Sequence, residues 1–222
     1  MKKTLFTAAL ILSTVFVFSQ TKINEGSVTY NVEYEFPEQM KSFGSNFPKE
    51  LKIYFKGDSA SMQTKTPMFN STSILNTKKD YDRILMDLPM MNKKFSVILT
   101  PADQEIMQDK MPKLVMKATS ETKKIGNYTA IKYDVTETKS SKSFVAWLTR
   151  DVDIVANPLT RFYDKNLGMP LEFTTYSMNG IVTRATVKEV KAETVPVGSF
   201  SASKDFEEIT MDQFMQIMRG GR

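Results

Sequence analysis

The stretch from Lys123 to Thr149 constrains the fold more than any other part of the chain. It holds two strand-like runs, Tyr128–Thr136 and Phe144–Thr149, a Gly126-Asn127 turn, and the lone tryptophan, Trp147. Turn residues that accept positive φ beside strand-like apolar runs are the local signature of a hairpin. Both runs carry apolar residues on each face, with Ile131 read against Tyr133 and Val135, and Trp147 against Phe144 and Leu148. A strand apolar on both faces is buried on both. The expectation is a central strand pair with packing outside it and apolar content inside.

Alternation with a period of two recurs along the chain. From Ser27 to Phe36, Val28, Tyr30, Val32, Tyr34 and Phe36 face one way, and Pro37 stops the strand. Leu51–Lys56 and Ser59–Thr64 read as a hairpin across Gly57-Asp58, and Asn70–Asn76 pairs with Tyr81–Met86. Lys93–Leu99 and Lys113–Thr119 are further strands. Leu171–Met178 and Ile181–Val190 flank Asn179-Gly180, read as a two-residue type I′ turn. That turn sets Met178 against Ile181, Tyr176 against Thr183 and Thr174 against Ala185.

Helices are few and short. Thr100-Pro101-Ala102-Asp103 supplies an N-cap, a proline at the first helical position and an early acid. Thr210-Met211-Asp212-Gln213 matches a capping box, with Met211, Phe214, Met215 and Met218 on one stripe. A third short helix is expected around Leu159–Lys165.

The N-terminus reads as a targeting segment. Lys2 and Lys3 precede an apolar run, Leu5–Phe18, and Val17-Phe18-Ser19 offers a cleavage site. The run falls short of the roughly 20 residues a spanning helix needs, which favours a cleaved signal over an uncleaved anchor. The expectation is a signal peptide over residues 1–19 and one exported domain over 20–222, periplasmic or extracellular. No transmembrane segment is expected after cleavage, and no Cys stands at the junction to carry a lipid.

The 222 residues include no Cys and no His. A disulfide framework, a Cys nucleophile, a His-based triad and a His/Cys zinc site are thereby excluded. The net charge of +5 is scattered over pairs such as Lys78-Lys79 and Lys123-Lys124. Without a basic helix or an aromatic-interleaved basic stripe, nucleic acid is not an expected partner. Asp151 and Asp153 would share a strand face, but no acid has the surroundings of a nucleophile or a metal set. The expectation is a non-enzymatic monomer with no catalytic residue, no metal and no cofactor. Asp58-Ser59-Ala60 fits an O-glycosylation tripeptide.

Fifteen methionines stand out. Met86, Met90, Met91, Met107, Met111, Met211, Met215 and Met218 fall in predicted loops or helices, or beside them. Methionine re-packs around varied apolar partners. All of these but Met211, together with Phe95, Tyr128 and Trp147, are the candidate ligand-binding residues. For each, the competing reading is ordinary core packing.

Several of these pieces together resemble a secreted family of unknown function from Bacteroidetes, whose fold is like that of the lipoprotein carriers LolA and LolB. They are the early alternating strand Gly26–Tyr34 and the spacing of Lys123, Ile125, Tyr128, Lys132, Tyr133 and Val135. They include the tryptophan strand Val145-Ala146-Trp147-Leu148-Thr149, and Gly168-Met169-Pro170-Leu171 ahead of the last hairpin. The resemblance spans about Gly26–Phe206. It implies a strongly curved antiparallel sheet, a half-barrel, with a few short covering helices and an apolar cavity between them. It implies no catalytic residue. The expected fold class is mostly β (α+β). The expected function is binding of an apolar ligand, a lipid or a lipoprotein acyl chain, in that cavity. The alternative is a secreted protein–protein interaction module with a filled core.

Overall fold

The computed structural model describes residues 21–139, 141–177 and 180–219. The expected signal peptide lies outside the described residues. Strands form where the apolar alternation runs. They are β1 (Thr21–Lys22), β2 (Glu25–Glu35), β3 (Glu50–Lys56), β4 (Ser59–Lys65), β5 (Asn70–Asn76), β6 (Tyr81–Leu88) and β7 (Lys93–Ile98). Helix α1 (Pro101–Lys110) follows, then β8 (Leu114–Ile125), β9 (Tyr128–Glu137), β10 (Ser143–Thr149) and β11 (Val152–Asp153). The chain continues through β12 (Met169–Tyr176), β13 (Val182–Ala192), β14 (Glu207–Ile209) and helix α2 (Met211–Met218). Both helices start at the expected N-cap, and both caps are capping boxes, that at Thr210 as expected, with Thr100 and Thr210 accepting the N–H groups of Asp103 and Gln213. No helix among the described residues is long and apolar enough to cross a membrane.

The protein is mostly β. Among the described residues, twelve strands form one open sheet in the order β14-β7-β6-β5-β4-β3-β2-β13-β12-β10-β9-β8. Two meanders, β2 to β7 and β8 to β13 with β11 outside the sheet, join along β2 and β13, and β14 adds at the β7 edge. Val28, Tyr30 and Val32 of β2 share a face with Leu51 and Ile53 of β3 and with Ala185 and Val187 of β13. All seven are buried and belong to the main core. A smaller core joins Val97 and Leu99 to Phe214 of α2.

The sheet is mixed rather than antiparallel throughout, because the short strand β14 adds parallel to β7. The last hairpin is also out of the expected register. Tyr176 faces Val182, Thr175 faces Thr183, and Thr174 faces Arg184. Ser177 N–H donates to Ile181 O at 3.0 Å, and Gly180, at φ +76°, donates to Ser177 O at 3.0 Å. This wider loop, closed by a left-handed glycine, shifts the pairing by one residue relative to a two-residue turn. A one-residue slip changes which side chains share a face. Phe173, Thr175, Thr183 and Ala185 therefore share the buried face, and Tyr176 lies on the other. Met178 and Asn179, on which the type I′ reading rested, lie outside the described residues.

The central pair buries one face, not two. Ile131, Tyr133 and Val135 pair with Leu148, Ala146 and Phe144 on a single side, as a period of two requires, so Ile131 does not oppose Tyr133. Val145 and Trp147 project from the opposite side, where Val145 is exposed and Trp147 half-buried. Lys123 Nζ sits 4.3 Å from the Trp147 ring centroid and 2.5 Å from Glu172 Oε2. A cation over the ring and a carboxylate beside it let the indole stay partly wet.

Candidate ligand-binding site

The expected helix at Leu159–Lys165 is instead a turn built on Asn157, followed by one 3-10 turn at Lys165–Leu167. The buried Asn157 Oδ1 accepts the N–H groups of Leu159 at 3.0 Å and Thr160 at 3.3 Å, and its own N–H donates to Thr160 Oγ1 at 3.1 Å. Asparagine favours this geometry because its side chain imitates a backbone acceptor. The turn drives Leu159 and Tyr163 into the main core. Tyr163 OH donates to Thr174 O of β12 at 2.7 Å, and its ring packs edge-on to Phe173. From the same turn Arg161 reaches β6, where its Nη2 donates to Asp82 Oδ2 at 2.5 Å.

A cavity of about 270 Å³ lies beside this turn. Leu51, Met62, Ile84, Leu159, Phe162 and Ile181 give it apolar walls. Tyr34 and Phe47 close one end, their rings 5.4 Å apart and edge-on, and Phe36 and Phe69 pack against Phe47. Burial pushes the Tyr34 phenol up to about 12. At the other end stand Asp82, Arg161 and Phe162, and beyond them lies a second, more polar hollow of about 510 Å³.

Of the ten candidate residues, the cavity brings together Met107 and Met111 of α1 and its C-terminus. Met86 packs against the small Val97–Leu99–Phe214 core, and Phe95, its cross-strand partner on β7, is buried. Met90 and Met91 lie in the 3-10 turn Pro89–Met91 and are 86% and 55% exposed, because Pro89 ends β6 and the turn has no buried face. Met215 and Met218 are exposed, since α2 spans only eight residues and sends Phe214 inward. Tyr128 follows the Gly126-Asn127 turn, and Trp147 stands on the outward face of β10, both away from the cavity. Ser59 is half-buried, with its hydroxyl accepting from Asn76 Nδ2 at 2.8 Å.

No family model matches the sequence, and no curated protein matches it. Among solved structures, that of PNGF-II in a C2 space group is similar, with a TM-score of 0.55 and 18% identity. The match covers 89% of this chain and 33% of the other, so this chain spans about a third of that protein's length. At that identity the likeness concerns the fold alone.

Sequence reasoning missed the residues that define the cavity's polar end. Arg161 and Asp82 are far apart in the chain, and neither sits in a motif. One signal was present: Asn157-Pro158-Leu159-Thr160 is a turn sequence followed by Phe162 and Tyr163, and large apolar side chains flanking a turn need a core to enter.

Proposed function

We propose that this domain binds an apolar ligand, a lipid or an acyl chain, in the cavity beside the Asn157–Tyr163 turn. We read it as an exported, non-enzymatic protein with the strongly curved half-barrel of the LolA and LolB carriers. The observation that carries the reading is the 270 Å³ hollow itself, whose lining is mostly aliphatic and aromatic, with Asp82, Arg83, Arg161 and several hydroxyls among it. Ligand sites are concave, mostly apolar clefts with a few polar groups, and this half-open hollow has that character.

Strand spacing supports the curl. β6 and β12 stand six places apart in the sheet order, about 29 Å in a flat sheet at roughly 4.8 Å per strand. A single turn from Asn157 to Tyr163 bonds to both, through Asp82 and Thr174. The energetics are adequate. Each methylene buried is worth about 0.8 kcal/mol, so a chain of ten contributes roughly 8 kcal/mol before ordering costs.

Native mass spectrometry of protein purified from the periplasm tests the proposal. A co-purifying lipid, or uptake of a fatty-acid probe, is the expected result. No lipid and no uptake would sink it.

One observation favours an interaction module instead. Ile106 and Met215 line an outward groove between α1 and α2, and Met218 lies exposed on the same helix as Met215. Large apolar side chains grouped at a surface mark contact sites. Crosslinking in cells that captures a protein, while lipid assays stay silent, would select this second reading.

A further inference from the structure

The apolar walls account for a hydrocarbon tail but leave the polar end of the cavity without a role. The cavity and the polar hollow beside it share Asp82, Met111, Arg161 and Phe162, so these residues stand at the junction of an apolar and a polar space. We infer that the ligand is an amphiphile with an anionic head, a carboxylate or a phosphate monoester, held by Arg161 at this junction. The inference rests on the apolar-ligand reading.

Arg161 is suited to the task by what it leaves unused. A guanidinium carries five N–H donors in a rigid fork. Among the described residues the guanidinium of Arg161 makes one hydrogen bond, from Nη2 to Asp82. The remaining donors can take a second oxyanion, as arginine does with carboxylates and phosphates. The side chain is already fixed, by Asp82 on one side and by the Phe162 ring at 5.6 Å, so little freedom is lost on binding. It is also only 27% exposed, so an anion there meets it with little competing water. Asp82 both positions the arginine and competes with the ligand for it. The tail length follows from volume. A void near 150 Å³ holds the six carbons of benzene, so about 270 Å³ holds roughly ten carbons.

Titration calorimetry of the full protein with decanoate, decyl phosphate, decanol and inorganic phosphate tests this. Wild type is expected to bind decanoate and decyl phosphate about tenfold or more tightly than decanol, the worth of one charge-assisted hydrogen bond. Asp82→Asn is expected to widen that gap by removing the competing carboxylate. The double variant Asp82→Asn/Arg161→Gln, which leaves no buried charge unpaired, is expected to bind all three alike, with a thermal melt confirming that it folds. Equal affinity for decanol and decanoate in wild type, or a gap that persists in the double variant, overturns the head-group inference while the apolar-ligand reading stands. Binding of none of the three overturns both. Inorganic phosphate binding as tightly as decyl phosphate also overturns the inference, because the ligand would then be a free anion.

Discussion

Arg161 Nη2 donates to Asp82 Oδ2 at 2.5 Å across 79 positions of sequence, and the contact ties the Asn157 turn to the N-terminal half of the sheet. The two side chains are 27% and 11% exposed, between a surface pair and a buried one. Arg161→Met leaves the Asp82 carboxylate poorly solvated and unpaired. The expected loss is about 2 kcal/mol, between the 0–1 of exposed pairs and the 3–5 of buried ones. Adding Asp82→Asn in the same background should restore most of it. Urea midpoints at constant slope measure both.

Filling the cavity should abolish uptake without unfolding the protein. Met62 is half-buried and lines the void. Met62→Trp places a large ring there, and the expected outcome is at least a tenfold loss of decanoate affinity with stability changed by less than about 2 kcal/mol. Calorimetry and a thermal melt read the two effects separately.

Alkali should loosen the fold. Burial raises the Tyr34 phenol to about 12 and raises those of Tyr30 and Tyr163 as well. Each folded value lies above the unfolded value near 10, so the unfolded chain loses these protons first. The stability they contribute is fully present below about pH 10 and declines as pH rises through the folded value of about 12 for Tyr34. Thermal melts across that window should fall, and Tyr34→Phe should fall less steeply.

The indole of Trp147 faces away from the cavity, so ligand binding should leave its fluorescence almost unchanged. Lys123→Ala should change that fluorescence and cost about 0.5–1 kcal/mol of stability, the range for a partly exposed cation over a ring. A large emission shift on adding decanoate would contradict this placement.

Gly168 has φ +119°, and a Cβ built there lies 2.3 Å from the Thr149 carbonyl oxygen. Backbone cannot yield as a flexible side chain does. Gly168→Ala should destabilise by more than about 2 kcal/mol, through strain and displacement of β12 from β10. Chemical denaturation would register it as a lowered midpoint.

Local features of the fold were legible in the sequence because their causes are local. Val28, Tyr30 and Val32 alternate and are buried, and Thr100 and Thr210 cap their helices through side chains three residues apart. The hairpin at Gly180 failed for a local reason too, since Asn-Gly fits more than one loop length and register follows from the choice. The candidate site was legible only through Met107 and Met111. Composition marks methionines as adaptable but carries no information about which of them a turn more than forty residues away will cover. Arg161 and Asp82 become neighbours only when the whole sheet is assembled, so no window of sequence contains their relationship.

The single seam between the two meanders also sets the timetable of a nascent chain. β13, the partner of β2, is made about 150 residues after it. At about 5–20 residues per second the wait is on the order of ten seconds. Throughout it the outer rim of β2 offers unmatched amides to any other emerging copy. Glu33 and Glu35, alternating along that strand, give identical copies like charges to set side by side. In the finished molecule Glu35 is paired with Arg184 of β13, so only while β13 is absent do these acids stand unpaired against a second copy.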